Sequence, residues 1–296
     1  MNRFSGIALA SVLVICAMPA LAQQDFSKVE IKAQNVKGNI YMLEGGGGNI
    51  GVSVGSDGVL IVDDKFAPLA DKIRAALKGV GGGELKFILN THFHGDHTGG
   101  NQVFGPEAPI IAQTNVRKRL MTEQTRGGQT TAAAPKEAWP VITFDESVSV
   151  HFNGEEIKAL HFPHGHTDGD SVIFFTESNV VHMGDDFFAG RFPFVDLDSG
   201  GDVEGLTKNI GQVIQRLPAD VTIIPGHGPI SKLDDLKAYH RMLVETTDAV
   251  RKRVAAGKSL ADIKAAGFPD EWKSWGTGFI SMDRWIETIH RSLSRQ

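Results

Sequence analysis

Thr91-His92-Phe93-His94-Gly95-Asp96-His97 follows the apolar run Lys86–Asn90 and sets three imidazoles and one carboxylate within six residues. Borderline divalent metals favour imidazole with carboxylate, and a loop at a strand end can turn all four side chains toward one point. His92 and His94 alternate, so they project to one side while the chain is extended. Gly95 permits the backbone angles that swing Asp96 and His97 toward a second, neighbouring position. The competing reading is a solvated His-rich turn. Four ionisable groups beside a buried strand are costly without a metal or strong pairing, which disfavours it.

Three later positions share this setting. His166 lies in Pro163-His164-Gly165-His166-Thr167, Asp185 in Met183-Gly184-Asp185, and His227 in Pro225-Gly226-His227-Gly228. Each follows an apolar run and adjoins a glycine able to make a tight turn. His164 is a candidate to support His166 from behind. His151, His161 and His182 read as sheet residues, and His240 and His290 as solvated or packed helix residues. Trp272, Trp275 and Trp285 read as packing anchors.

Around these motifs the patterning is bipartite. Short β-rich runs at Val29–Ala33, Asn39–Leu43, Asn49–Val54 and Val59–Val62 precede an amphipathic helix, Ala67–Leu77. Strand Lys86–Asn90, strand Ile110–Ala112 and a polar helix at Asn115–Thr125 follow. The second half has strands at Ser147–His151, Ile157–His161, Ser171–Phe175 and Val180–His182, then a helix near Val203–Arg216. Strand Val221–Ile224 and helices Leu233–Ala255 and Met282–Leu293 complete it. Two sets of strands, each followed by helices, predict a mixed α/β fold: two sheets face to face with helices outside, a four-layer αββα sandwich in one domain, 23–296.

The 296 residues are 41% hydrophobic and 22% charged, enough chain for a full core. Arg3, the apolar run Ile7–Met18 and Ala20-Leu21-Ala22 form a secretory leader pattern over residues 1–22, too short to be a stable membrane anchor. Export, to a bacterial periplasm, is the expectation. Cys16, the one cysteine, falls in that leader, so the mature chain has no thiolate to offer as nucleophile or ligand. A net charge of -5 without a basic stripe excludes nucleic acid as a favoured partner and leaves a small molecule as the expected substrate.

His92-x-His94-x-Asp96-His97, His166, Gly184-Asp185 and Gly226-His227, with Leu60-Ile61-Val62-Asp63 as the early strand, resemble the metallo-β-lactamase-fold hydrolase superfamily over nearly the whole mature chain. The resemblance implies an αββα sandwich with two divalent metal ions in the cleft at the sheet edges. His92, His94 and His166 would hold the first ion; Asp96, His97 and His227 the second; Asp185 would bridge them. Asp63 would steady the motif loop, with Asp64 its competitor for that role. Zinc is the default, with iron or manganese close behind. Metals ~3.5–4 Å apart would share a hydroxide formed from water whose pKa falls to about 7, with Asp96 orienting it.

Departures within the superfamily narrow the branch. Cysteine-containing β-lactamases have Cys where this chain has Asp185, and a lysine where it has Phe188. The pattern is closer to the glyoxalase II-like and lactonase-like hydrolases, with lactam cleavage weak or promiscuous. Phe187–Phe194 holds four phenylalanines and Arg191, which suits an apolar pocket wall with a carboxylate anchor; Arg191, Phe188 and Phe192 are the candidate substrate contacts. The competing reading is a packed loop with a solvated arginine. Gly45-Gly46-Gly47-Gly48 reads as a flexible turn or a mobile flap. Alternative functions on the same ligands are phosphodiester cleavage, sulfur dioxygenation on a single iron, and metal binding without catalysis.

Overall fold

Gly58–Val62 and Leu85–Leu89 are continuous apolar runs, and they pair in parallel with the first strand buried on both faces. Parallel strands need cover on both sides, and this pair is the spine of the first half. The computed structural model describes residues 25–126 and 128–295. The leader lies outside the described residues. Among those described, no helix is long and apolar enough to cross a membrane.

The first sheet begins as a meander of β1 (Lys32–Lys37), β2 (Ile40–Glu44), β3 (Ile50–Gly55) and β4 (Gly58–Val62), then adds β5 (Leu85–Leu89) and β6 (Ile110–Gln113). A separate hairpin, β7 (Gln124–Arg126) and β8 (Gln129–Thr131), precedes its edge strand β9 (Ile142–Phe144). The second sheet orders β10 (Ser147–Phe152), β11 (Glu155–His161), β12 (Ser171–Phe175), β13 (Val180–His182), β14 (Thr222–Ile224) and β15 (Ser231–Lys232). Only β13 and β14 pair in parallel there.

Alternation along the strands assigns the layers. Leu60, Val62 and Leu89 face the second sheet and meet Ile157, Ile173, Phe175 and Ile224. Val59, Ile61 and Ile88 face outward, beneath Ile73 and Leu77 of α1 (Ala70–Gly79). Short helices α2 (Gly95–Thr98), α3 (Asn101–Phe104) and α4 (Thr114–Leu120) follow on that side. The outer face of the second sheet is covered by α5 (Val203–Ile214), α6 (Leu233–Ala255), α7 (Leu260–Ala266), α8 (Asp270–Lys273) and α9 (Met282–Leu293). The four layers are those expected.

Two local readings differ. The helix expected to run to Thr125 stops at Leu120, because Thr-rich β7 and β8 favour strand geometry and Gly128 supplies φ +78 for their turn. The first strand starts at Lys32 rather than Val29, since Asp25 caps a turn at Phe26–Lys28.

The Gly45–Gly48 strip is the turn between β2 and β3, and it packs closely against the motif loop. The Gly48 amide donates to the Asp96 carbonyl at 3.1 Å, and a Cβ at Gly48 would overlap the His97 ring. Asn49 donates from its amide to Gly226 and from its side chain to the Pro225 and Gly228 carbonyls. His182 donates to the Asn49 carbonyl at 3.1 Å and accepts from the Gly184 amide, a neutral tautomer that burial favours by lowering its pKa to about 4. The strip is stitched to the very loops that end β5, β13 and β14.

Trp285 on α9 is fully buried, stacks on Phe192 and donates to Thr246 Oγ1 at 3.0 Å. Truncating it to alanine should destabilise the fold by about 3–5 kcal/mol, read as a lowered urea midpoint. An unchanged midpoint would mean that this layer does not anchor the second sheet.

Candidate metal centre

Each motif residue sits where a strand ends at one edge of the sandwich. β5 runs out into Thr91–His97, β12 is preceded by the turn carrying His166, β13 leads to Asp185, and β14 leads to His227. Strand ends carry unpaired backbone and turn sharply, so neighbouring loops converge there.

The first anchor is Asp63, at the end of β4, with φ +65. Its carboxylate accepts from the Thr91 amide (2.8 Å), Thr91 Oγ1 (2.8 Å) and His97 Nδ1 (2.7 Å). Asp64 does a different job, accepting from the Gly100 amide at 2.9 Å. Asp63 therefore ties the motif loop to the end of β4.

Two groups of donor atoms result, each with its atoms within 4.8 Å of one another: His92, His94, His166 and Asp185, and Asp96, His97 and His227. Asp185 lies between them. Its Oδ2 is 3.8 Å from His92 Nε2 and 3.5 Å from His166 Nε2; its Oδ1 is 3.1 Å from His97 Nε2 and 3.3 Å from His227 Nε2. Asp96 Oδ2 stands 3.3 Å from His227 Nε2. All seven sequence candidates are brought together.

The outward nitrogens decide what the inward ones can do. His94 Nε2 donates to Asp196 Oδ2 at 2.9 Å, and His166 Nδ1 donates to the Phe194 carbonyl at 2.7 Å. Thr91 Oγ1 spends its proton on Asp63, so His92 Nδ1 donates to it at 3.0 Å. Such outer partners fix the tautomer and aim a lone pair at a metal. His94 Nδ1 and His166 Nε2 then face each other at 2.8 Å. Two imidazole lone pairs at that distance repel unless a cation lies with them. Likewise His92 Nε2, His97 Nε2 and Asp185 Oδ1 are buried without a hydrogen bond; in a neutral polar core each such atom costs about 1–3 kcal/mol. The residues fit a divalent metal.

The electrostatics agree. Burial alone would raise the Asp185 carboxyl, but His227 and His97 hold it well below the usual carboxylate range. Burial would lower His227, yet Asp185 and Asp96 lift it to about 9. Burial and the neighbouring imidazoles push His92 well down, keeping it neutral. Behind the site, burial raises both Asp170 and Asp186; Asp170 accepts from the Thr167 amide, Asp186 from the His166 amide, bracing the turn.

The three candidate substrate contacts differ in their surroundings. Phe188 stacks on the His227 ring at 5.2 Å and lines a cleft of about 1170 Å³ above the donor groups. Arg191 lines the same cleft. Phe192 also lines the cleft, but it is 1% exposed and packs on Trp285 and Phe268. His164 does not back His166; it is exposed, with Nδ1 on the Gly200 carbonyl.

Besides Asp170 and Asp186, three supporting residues escaped sequence reading. Asp196 is thirty positions past His166 and carries no local signal. Phe194 was visible only as one of a run, and its role is a backbone oxygen. Lys65 is fully buried, donates from Nζ to the Gly48 carbonyl, and is lowered by burial to about 8 against the pull of Asp96 and Asp63. Three consecutive charged residues directly after the apolar β4 were the signal that could have found it.

Comparison with known proteins gives the same picture. The profile of the metallo-beta-lactamase superfamily matches residues 35–231. A hydroxyacylglutathione hydrolase of Polaromonas sp. strain JS666 is 32% identical over 165 residues, 54% of this chain and 55% of that one. The alpha subunit of a 2,4-dinitroanisole O-demethylase from Nocardioides sp. strain JS1661 is 26% identical over 52% of this chain and 46% of its own. The chain spans about half the length of these curated relatives. Among solved structures, a double mutant of the sec-alkyl sulfatase PisA1 superposes with a TM-score of 0.71 at 14% identity, over 89% of this chain and 50% of that one. The DIM-1 metallo-beta-lactamase gives 0.59 at 20% identity, over 74% of this chain and 99% of its own. These two likenesses concern the fold alone. All seven donor residues fall inside the matched span and meet at one cleft: the chain belongs to the metallo-beta-lactamase superfamily of metallo-hydrolases.

Proposed function

We propose that this hydrolase uses two divalent cations, zinc by donor type, to cleave an acyl substrate, with thioesters and esters ahead of lactones and lactams. The observation that carries the reading is Asp185, whose two carboxylate oxygens face two different sets of imidazoles. The hydroxyacylglutathione hydrolases among the relatives support the thioester preference. Imidazole and carboxylate donors without thiolate suit zinc, and also iron or manganese.

His92, His94 and His166 would hold one cation, Asp96, His97 and His227 the other, and Asp185 both. Bound there, the cations supply Lewis acidity toward the acyl carbonyl and lower the pKa of a coordinated water. The chain's own part is orientation. Asp196, Thr91, Asp63 and the Phe194 carbonyl fix the four imidazole rings. Asp96, partly exposed at the cleft floor, would orient the attacking water through its carboxylate. Phe188 screens one side of His227 from solvent. No protein nucleophile is needed.

Metal analysis of the purified protein should give two equivalents per chain, and chelation should abolish hydrolysis of thioester and ester probes, with readdition restoring it. One iron per chain with sulfur-oxidising activity, or metal-dependent cleavage of phosphodiesters alone, would replace this reading. His94→Ala and Asp185→Asn should each lose at least one equivalent of metal and more than about 100-fold in kcat/KM; full activity in either removes the mechanism. Gly48→Ala should remain folded by circular dichroism while displacing His97. Its weaker cation should bind on the order of 10–100-fold less tightly in a chelator competition, the range for lost outer support.

A further inference from the structure

Residues beyond 231 lie outside the superfamily match, yet they build one wall of the cleft: Lys264 from α7, Phe279, and Arg284, Glu287 and Arg291 from α9. This wall is joined to the loop after Asp185. The Phe192 amide donates to the Trp275 carbonyl at 3.1 Å, and Phe194 meets Phe279 edge-on at 6.4 Å. Phe194 also lies 5.8 Å from the rings of both His94 and His166. An aromatic shelf thus runs from the donor groups to the mouth of the cleft.

The charges along this wall are unequal. Lys264 is paired with Glu287 at 2.8 Å and Arg291 with Asp198 at 3.5 Å. Among the described residues no carboxylate lies within ion-pair distance of Arg191 or Arg284, although Arg284 stands near enough to Glu287 to help Lys264 lower that carboxyl. The Arg284 guanidinium lies 5.1 Å from the Phe279 ring centroid and 5.9 Å from that of Phe194, held at the end of the shelf with its planar donors unspent on carboxylate. Phe279 is 75% exposed, the most exposed large apolar side chain described, and it stands at the mouth of a cleft rather than on an open face. An apolar shelf between a metal-binding cluster and two unpaired arginines has the order of an elongated ligand.

We propose that Arg284, together with Arg191, reads an anionic group at the far end of the substrate, while Phe194 and Phe279 hold its apolar body. The substrate class is an amphipathic acyl compound: a scissile carbonyl, an aromatic or aliphatic spacer, and a terminal carboxylate or similar planar oxyanion. Guanidinium suits that end because its fork of N–H groups matches a carboxylate bidentately, which an ammonium cannot do. The alternative is that Arg284 merely lies on the two rings, contributing packing. The assignment rests on the acyl-hydrolase reading above, and its test separates the two.

The probes are the S-ethyl monothioester of 1,4-phenylenediacetic acid and the same compound with its free carboxylate methylated, assayed on the metal-loaded protein. The wild type should prefer the free acid in kcat/KM, and the preference should shrink as salt rises. Arg284→Met should lower the acid-to-ester ratio about 10-fold or more, through KM for the acid, the scale of a charge-assisted hydrogen bond. Arg284→Lys should retain part of the ratio, which a packing role would not require. A ratio unchanged in Arg284→Met, or no wild-type preference, overturns the assignment. In parallel, calorimetric binding of 1,4-phenylenediacetate to the two proteins should show the same weakening in Arg284→Met. If the wild type turns over neither thioester, the hydrolase reading fails, and equal binding by both proteins would sink the anion site separately.

Discussion

One buried carboxylate holds the working edge of this protein together. Asp63 ends a core strand in the left-handed region, at a cost of about 1–2 kcal/mol for a residue with a Cβ. It accepts three short hydrogen bonds from the motif loop, each worth about 1.5–3 kcal/mol when the acceptor is charged. The bonds outweigh the strain, and the strain is what turns the carboxylate from the strand's own line toward Thr91 and His97. Removing it would free the loop, the His97 tautomer and, through Thr91, the His92 ring.

From this point the site is assembled by pairing rather than by proximity alone. Every imidazole of the first donor group has its outer nitrogen occupied, so the inner nitrogens have no proton to give. The facing lone pairs of His94 and His166 are a local conflict that a bound cation would resolve. Asp185 gains from both sides: it sits under four imidazoles, two per oxygen, and stays ionised despite burial. Buried charge of this density is costly for a merely structural cluster, which is why the arrangement reads as function.

The donor residues were legible because their chemistry is dense in sequence or repeats one context: apolar run, glycine, ligand. The layers were legible for a related reason, since strands and helices alternate in two blocks with clear periodicity. What stayed hidden acts across the chain. Asp196 meets His94 over 102 positions, and Phe194 contributes a carbonyl that any residue could carry. The four glycines suggested motion, whereas contact with Asp96 and His97 makes them a fitted wall; composition alone does not distinguish room to move from absence of room. Thr122 and Thr125 drew the fourth helix to an early stop by local preference, a boundary effect. Phe192 looked like its neighbours in the run, yet it is the one that joins the cleft to the packing under Trp285.

The glycine strip and the helical wall opposite it divide the cleft into unequal halves. On one side nothing larger than hydrogen fits beside His97, so that flank is closed to elaboration in any descendant that keeps the cluster. On the other, exposed rings and arginines on α9 and its preceding loop tolerate replacement without touching a donor atom. Diversification of what this scaffold accepts would therefore be written in the loop after Asp185 and in the last sixty or so residues, leaving the chemical edge as an inherited constant.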